Sequence, residues 1–385
     1  MDMKSKLVMT GLFVVLLTGI GSIGNAGWLS SKPKDVNTTK GQEKELAVVR
    51  VPFVRVGNLE FIADELGFFK EKGIKIEWIS ELKAGTNRFV LLASGAFDYT
   101  AGPHTDSVIR VRKSGGKIKI IGGFTDSTKK QPHMVWYVKE NSPIRSAKDL
   151  IGKKIIGLTG QGEGIELVGC TGYGAAEYLR LSGIDIKKAS IEGVTIPVSQ
   201  IEQVLKQGLV DVATAHPPYT GKLSNTPGFR ELFSDYDAIA PTYGRGATSI
   251  AVVREEWLQK NPEVARNFIA ALALAADWAT AHQDEAKAIY AKRLEISSEN
   301  IKYLSTYAWM PHLFINEKRN IQFYINMMVK NGELKEGKVK PTDVYTRDFN
   351  PYYRLVKEGK IKESAILKEA ERIAARNYPG YLKNR

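Results

Sequence analysis

A chain of 385 residues exceeds what one hydrophobic core usually serves, so a folded product is expected to divide into two lobes. Apolar residues make up 43% and charged residues 25%, which argues against a disordered chain, and a single cysteine rules out an intramolecular disulfide. The net charge of +13 fits an anionic ligand or surface as well as a solvated basic face, but the Lys and Arg are spread among acids, so a nucleic-acid module is set aside.

The chain opens like an export signal. Lys4 and Lys6 precede an uncharged apolar or small run from Leu7 to Ile23, and Gly24-Asn25-Ala26 forms a small-residue cleavage site. Residues 1–26 are therefore expected to be a signal peptide, with residues 27–46 a polar, flexible arm. The alternative is an uncleaved anchor, since a run of roughly 17 residues sits at the lower limit for spanning a bilayer. No later stretch is long and apolar enough to span. No cysteine follows the signal, so a freely diffusing periplasmic protein is expected rather than a lipoprotein.

Strand and helix signals then alternate. Ala47 to Phe53 reads as a buried strand. Leu59, Ile62, Ala63 and Leu66 follow at helical spacing, with Asn58 as N-cap and Gly67 as stop. Ile74, Ile76 and Trp78 alternate as a strand. Phe89, Leu92 and Ala93 form a short helix stopped by Gly95, Phe97 to Ala101 a strand, and Thr105 to Lys113 a helix closed at Gly115-Gly116. Ile118, Ile120 and Ile121 make the next strand. This βαβα rhythm predicts a mainly parallel sheet covered by helices.

The rhythm repeats. Ser146 and Asp149 have capping-box spacing, as do Ser199 and Glu202. Lys154 to Leu158 is a strand, Gly174 to Leu181 a helix stopped by Gly183, Val194 to Val198 a strand, and Val210 to Ala215 another. The stretch Gly95–Ala101 can be laid on Gly208–Thr214: helix stop, apolar strand, embedded Asp, then a Pro/His turn. After the strand Thr248–Arg254 the chain turns helical. Asn261-Pro262 opens a long helix with Ala265, Phe268, Ile269, Leu272, Ala275, Ala276 and Ala279 on one face. Further helices are expected over 284–292, 298–307, 316–331 and 360–375.

In open α/β sheets ligands bind beyond the carboxyl ends of the strands. That rule selects Val54–Asn58, Gly102–Thr105, Thr159–Gly174 and His216–Tyr219, two loops from each block. The candidate ligand residues are Arg55, Asn58, Pro103, His104, Thr105, Gly162, Cys170, Thr171, Tyr173, His216, Tyr219 and Arg245. Seven glycines crowd the stretch from Gly157 to Gly174 that holds the third loop, and a Gly-rich stretch opening a helix lets N–H groups approach an anion. Glu163 and Glu166 within it favour a ligand amine instead. Arg55 and Arg245 can grip a carboxylate or sulfonate in a fork, or simply face solvent. Tyr219 and Tyr243 can wall an aromatic ligand or pack in the core. His104 and His216 sit just past strands, but with His133 they form no metal-ligand spacing. Neither a dinucleotide fingerprint nor a Walker A lysine is present in context, so no cofactor or metal is expected. Cys170 has no base beside it in sequence and reads as a spectator rather than a nucleophile.

The framework stretches Ile62–Ile74, Leu92–Asp98, Ser142–Lys154 and Gly208–Ala213 resemble the periplasmic solute-binding proteins of ABC importers for aliphatic sulfonates, taurine and nitrate, together with the thiamine-pyrimidine-precursor group. The resemblance runs from about residue 48 to 292. It implies a type II periplasmic-binding-protein fold: two α/β lobes around a cleft, with a helical C-terminal extension. Lobe one would hold residues 47–138 and 250–385 and lobe two residues 144–245, with hinge crossings near 138–144 and 245–250. It implies a non-enzymatic monomer that closes on a small organic anion and delivers it to a membrane permease. The chain departs from the family in its fourth loop, which has His216-Pro217-Pro218-Tyr219 where a bulky residue, commonly Trp, precedes Pro, and in a longer third loop. Two other classes stay open: pyrimidine-precursor binding or synthesis on the same fold, and a membrane-anchored sensor domain.

Overall fold

The computed structural model describes residues 45–54, 59–82, 88–102, 105–157, 169–196, 200–217, 219–238, 249–305, 308–313, 315, 317–366, 368 and 372. The expected signal peptide and nearly all of the arm lie outside the described residues.

The first block runs β1 (Ala47–Pro52), α1 (Leu59–Glu65), α2 (Phe68–Glu71), β2 (Ile74–Ile79), α3 (Arg88–Ser94), β3 (Tyr99–Gly102), α4 (Thr105–Lys113) and β4 (Ile118–Asp126). Leu59, Phe61, Ile62 and Ala63 bury one face of α1. Gly67 turns the chain at φ 76°, and the single turn α2 follows, unforeseen in the sequence pattern. Helix α4 covers the predicted residues 105–113, with Gly115 left-handed after it at φ 92°.

The second block runs β5 (Val135–Lys139), a 3-10 turn (Ala147–Leu150), β6 (Lys154–Gly157), α5 (Gly169–Leu181), β7 (Glu192–Thr195), α6 (Ile201–Gln207), β8 (Ala213–Ala215), α7 (Tyr219–Ser224) and β9 (Phe229–Ser234). The Ser146–Asp149 capping box forms as read, with Asp149 accepting the Ser146 N–H at 2.9 Å. The second one does not: α6 opens on Gln200, and Ser199 lies outside the described residues.

Only part of the sheet structure is parallel, which corrects the expectation from the βαβα rhythm. β1 pairs in parallel with β2, and β6 with β7. The returning strand β10 (Ser249–Arg254) inserts between β3 and β4, antiparallel to both. β5, read from sequence as the end of lobe one, instead pairs antiparallel with β8 and β9. A single crossover helix enforces parallel neighbours, whereas a strand arriving after a long excursion is free to run either way. β5 alternates as a two-faced strand should: Trp136 and Val138 join one buried apolar cluster with Phe89, Ile120 and Leu179, while Val135 and Tyr137 join another with Leu205 and Leu223.

After β10 the chain is mainly helical: α8 (Glu255–Lys260), α9 (Pro262–Ala281), α10 (Gln283–Arg293), the two-residue strand β11 (Ala308–Trp309) against β4, α11 (Phe323–Lys330), α12 (Pro341–Val344) and α13 (Pro351–Lys357). The whole predicted stripe of α9 is buried, and Phe268 stacks on Phe69 with ring centroids 5.1 Å apart. Asn261 stands at the N-cap, but its amide donates backwards to the Trp257 carbonyl instead of capping. Two predicted helices are modified. Residues 298–303 form a 3-10 helix, and α11 is entered through a π-turn at Glu317–Gln322. Of the helix expected over 360–375, residues 363–366 are helical and most of the rest lies outside the described residues. Asp277 of α9 ties the tail down, accepting from the His312 backbone (2.6 Å), the His312 ring (2.8 Å) and the Tyr352 hydroxyl (2.8 Å).

The pseudo-repeat is a repeated piece of structure. Gly95 and Gly208 close α3 and α6 in the left-handed region, at φ 87° and 74°. Three residues on, Asp98 accepts the Arg50 N–H of β1 at 3.0 Å, and Asp211 accepts the Lys154 N–H of β6 at 3.0 Å. Asp98 thereby pins β1 beside the start of β3, and Asp211 pins β6 beside the start of β8. Asp98 also receives Arg50 Nη2 at 2.8 Å and Arg254 Nη2 of β10 at 2.9 Å. Burial opposes its ionisation, but the two guanidinium groups and the backbone N–H prevail and hold its pKa below the ordinary value.

Removing Asp98 strands two cations in the frame, so Asp98→Ala is expected to cost about 3 kcal/mol. Asp211→Ala removes a solvent-facing bond and should cost about 1 kcal/mol. Urea unfolding of both variants checks this; equal losses would show that the shared backbone contact, not the charge, carries the stability.

Candidate functional site

The carboxyl ends of β1, β2 and β3 lie together at Pro52, Ile79 and Gly102, because β1 pairs with β2 and meets β3 through the Arg50–Asp98 contact. The corresponding ends in the second block are Gly157, Thr195 and Ala215. Of the residues expected from sequence to meet a ligand, Arg55, Asn58, Pro103, His104, Gly162 and Arg245 lie outside the described residues, as does Tyr243.

The others are placed as follows. Thr105 is the first residue of α4 and is fully buried. Helix α5 begins at Gly169, so Cys170, Thr171 and Tyr173 belong to its opening turns rather than to a loop, which corrects the sequence reading. Part of the glycine run serves packing: a Cβ on Gly174 would lie 2.4 Å from Trp136 Cη2, so only glycine lets α5 approach β5 this closely. Thr171 is buried. Tyr219 is the half-buried first residue of α7, and its N–H donates to the His216 carbonyl at 2.8 Å.

The His216 ring meets His133 edge-on, with centroids 5.0 Å apart. Burial pushes the His216 pKa down to about 4, so at neutral pH it offers a hydrogen bond and no charge. Among the described residues no group of three or more His, Cys, Asp or Glu side chains is placed to hold a metal ion.

The connections between the blocks are stitched by an acid. The fully buried Asp235, just after β9, accepts Ser127 Oγ at 2.8 Å and the Met134 N–H at 3.0 Å. Residues 127–134 lead from β4 into β5, and 235–248 lead from β9 to β10.

Sequence reasoning missed three polar residues of the first block: Glu60 and Arg88, near the starts of the helices that follow β1 and β2, and Tyr99, the first residue of β3. Glu60 is only 1% exposed, inside the apolar run Leu59–Ala63. Burial raises its pKa to about 7; its own backbone N–H, the nearby Tyr99 hydroxyl and the charge of Arg88 pull in the other direction. Arg88 opens α3, and its Nη1 donates to the Ala101 carbonyl at 3.0 Å. Burial lowers its pKa to about 10, so it stays charged at neutral pH. An acid in the middle of an apolar helix face was the signal that marks Glu60; nothing local marks Arg88, whose position depends on how α3 docks.

Glu60 and His216 give opposite pH signatures. Glu60 ionises at 4.5 in an ordinary setting and at about 7 here, so it lowers stability as pH rises across that interval. His216 falls from 6.5 to about 4, so it lowers stability as pH drops across that interval. Relative to wild type, Glu60→Gln should gain on the order of 3 kcal/mol between pH 4.5 and pH 8. His216→Asn should gain on acidification instead. Denaturation midpoints across pH 4–8 check both; a Glu60→Gln profile parallel to wild type would show that Glu60 ionises normally.

The family model described as NMT1/THI5 like matches residues 59–286. No curated relative matches the chain. Among solved structures it is similar to the periplasmic aliphatic sulphonate binding protein SsuA from Escherichia coli, with TM-score 0.57 and 18% identity over 77% of this chain and 91% of that one. It is similar to the periplasmic nitrate-binding protein NrtA from Synechocystis PCC 6803, with TM-score 0.62 and 15% identity over 84% and 91%. It is also similar to the desulfurization enzyme DSZB, with TM-score 0.57 and 16% identity over 81% and 99%. Binding proteins and an enzyme share this architecture, so the likeness establishes the fold and leaves the chemistry to the site. The chain has the two-lobed α/β type II periplasmic-binding-protein fold, and it belongs to the NMT1/THI5-like family.

Proposed function

We propose that this chain is the extracytoplasmic substrate-binding component of an ABC importer, closing two α/β lobes on a small organic anion. The observation that carries the reading is the repeated Gly–Asp frame, which builds two matched strand sets with the candidate loops at their carboxyl edges. Ligand closes such a cleft because it contacts both lobes only in the closed state. The crossings we assign are 127–134 and 235–248, earlier along the chain than the strand pattern suggested, since β5 and β9 share a sheet. Asp235, at the start of the second crossing, is bonded to both ends of the first, Ser127 and Met134, a suitable axis for hinge motion.

The names of its structural neighbours support a sulfonate- or nitrate-like ligand. The charge of +13 and the half-buried cation Arg88 support the same sign of ligand. Export through a signal peptide cleaved after Ala26, and delivery to a membrane permease, complete the proposal. No described helix is long and apolar enough to cross a membrane.

A thermal-shift screen of sulfonates, carboxylates, nitrate and pyrimidines tests the ligand class. A binder present at about 100 times its Kd should add roughly 2.7 kcal/mol of stability. Stabilisation by neutral or cationic compounds alone would overturn the anion reading. N-terminal sequencing of the exported protein should begin at Gly27; an intact Met1 would indicate a retained anchor.

A further inference from the structure

The end of β3 is shaped around one side chain. Arg88 lies across it and donates to the Ala101 carbonyl at 3.0 Å. Gly102, next along the strand, sits at φ 135°, and a Cβ there would fall 2.4 Å from Arg88 Nη1. A side chain at 102 would meet the strain of that backbone conformation and displace the guanidinium from its present place, so glycine here lets Arg88 lie against the strand end. The other arginines flanking this sheet are ion-paired: Arg50 and Arg254 with Asp98, Arg110 with Asp106 and Glu333, and Arg112 with Glu255. Arg88 has no carboxylate at ion-pair distance among the described residues, and the rest of its fork meets no acceptor there.

Three more buried polar atoms gather at the same edge. Glu60 Oε2 near the start of α1, the Tyr99 hydroxyl of β3 and Thr105 Oγ1 at the start of α4 are each buried without a hydrogen bond of ordinary geometry among the described residues. Buried polar groups are rarely left without partners, and the half-buried guanidinium of Arg88 lies beside these three with most of its fork open to a ligand. Helices α1, α3 and α4 all begin here, each following the carboxyl end of a strand, where open α/β sheets bind ligands.

We propose that Arg88 is the cation that holds the anionic head of the ligand, and that Glu60 is the neighbouring acid that restricts the site to singly charged oxyanions. The inference rests on the anion-binding reading above and names the residues that impose it. The fork of Arg88 matches two oxygens of a sulfonate, carboxylate or nitrate. Glu60 opposes further negative charge. Against a monoanion it can take a proton from solvent and lie neutral beside it; against a dianion such as sulfate the repulsion is larger, and Arg88 alone does not balance it. The ionisable groups facing Glu60 are Tyr99 from β3, whose hydroxyl burial keeps protonated, and Arg88 from α3. On the other side of α1, Arg293 and Lys292 of α10 are engaged by Asp64 and Glu65. Anion affinity should therefore fall as pH rises through the range where Glu60 ionises.

The test is calorimetric titration of the mature protein with methanesulfonate, nitrate and sulfate at pH 6 and pH 8. Wild type should bind methanesulfonate or nitrate at least about tenfold more weakly at pH 8, and sulfate poorly at both. Arg88→Gln should lose at least about tenfold in affinity, with Arg88→Lys partly restoring it. Glu60→Gln should bind equally at both pH values and admit sulfate. Circular dichroism and melting curves establish that each variant is folded, and Glu60→Gln reads the proposal should Arg88→Gln fail to fold. Monoanion binding unchanged in folded Arg88→Gln overturns this inference alone, as does a pH dependence that survives Glu60→Gln. Wild type that binds none of the three anions overturns both this inference and the anion reading on which it rests.

Discussion

The carboxylate of Asp98 joins three separate parts of the chain. Through Arg50 it fixes β1, through its own backbone it fixes the entry to β3, and through Arg254 it fixes β10, which arrives 156 residues later. A buried charge of this kind is tolerated only when paired and hydrogen-bonded, so β1, β3 and β10 have to be present together for Asp98 to be buried at all. That couples the early strands to a strand that returns only after the second block is complete. The second block has the same device in weaker form: Asp211 holds β6 through one backbone bond and has no charge partner among the described residues.

From that frame the position of the proposed site follows. Pinning β1 beside β3 brings the starts of α1, α3 and α4 to one edge, and with them Glu60, Arg88 and Thr105. The edge holds a half-buried cation with no carboxylate at ion-pair distance among the described residues, an arrangement suited to binding an anion. Burial keeps Glu60 near the midpoint of its titration at neutral pH. The second block contributes less charge: His216 is neutral by burial, and α5 is drawn against Trp136 by the absence of a side chain at Gly174. In our proposal the two halves thus differ in role, one carrying the charge and the other supplying a wall and hydrogen bonds.

The C-terminal region reinforces the frame. Helix α9 fills the groove beside Phe69 and Tyr99 with its apolar stripe, and Asp277 on its polar side gathers His312 and Tyr352. Residues past α10 also reach the second block, where Ser305 Oγ meets Thr220 Oγ1 at 2.6 Å and the backbone at Tyr303–Ser305 lies against Gly221. The tail therefore contacts both blocks, in the second through α7, the helix that begins at Tyr219.

Much of this was legible in the residues alone. The strands and helices of the first block, the stop glycines, the Ser146 capping box, the face of α9 and the Gly95/Gly208 repeat all follow from local periodicity and local backbone preference, which act over a few residues. Strand direction did not follow, because β10 and β5 are paired by contacts far apart in sequence, and periodicity carries no information about partners. The site was legible as a set of loops, many of whose candidate residues lie outside the described ones. Histidines and loop arginines stood out by type, whereas the roles we propose for Arg88 and Glu60 depend on the burial of Glu60 and on their proximity, and neither property exists until α1, α3 and β3 have packed. The sequence by itself determined the elements, the repeat and the family; the tertiary structure decided which strands pair and which charges are buried, because desolvation and ion pairing depend on three-dimensional neighbours.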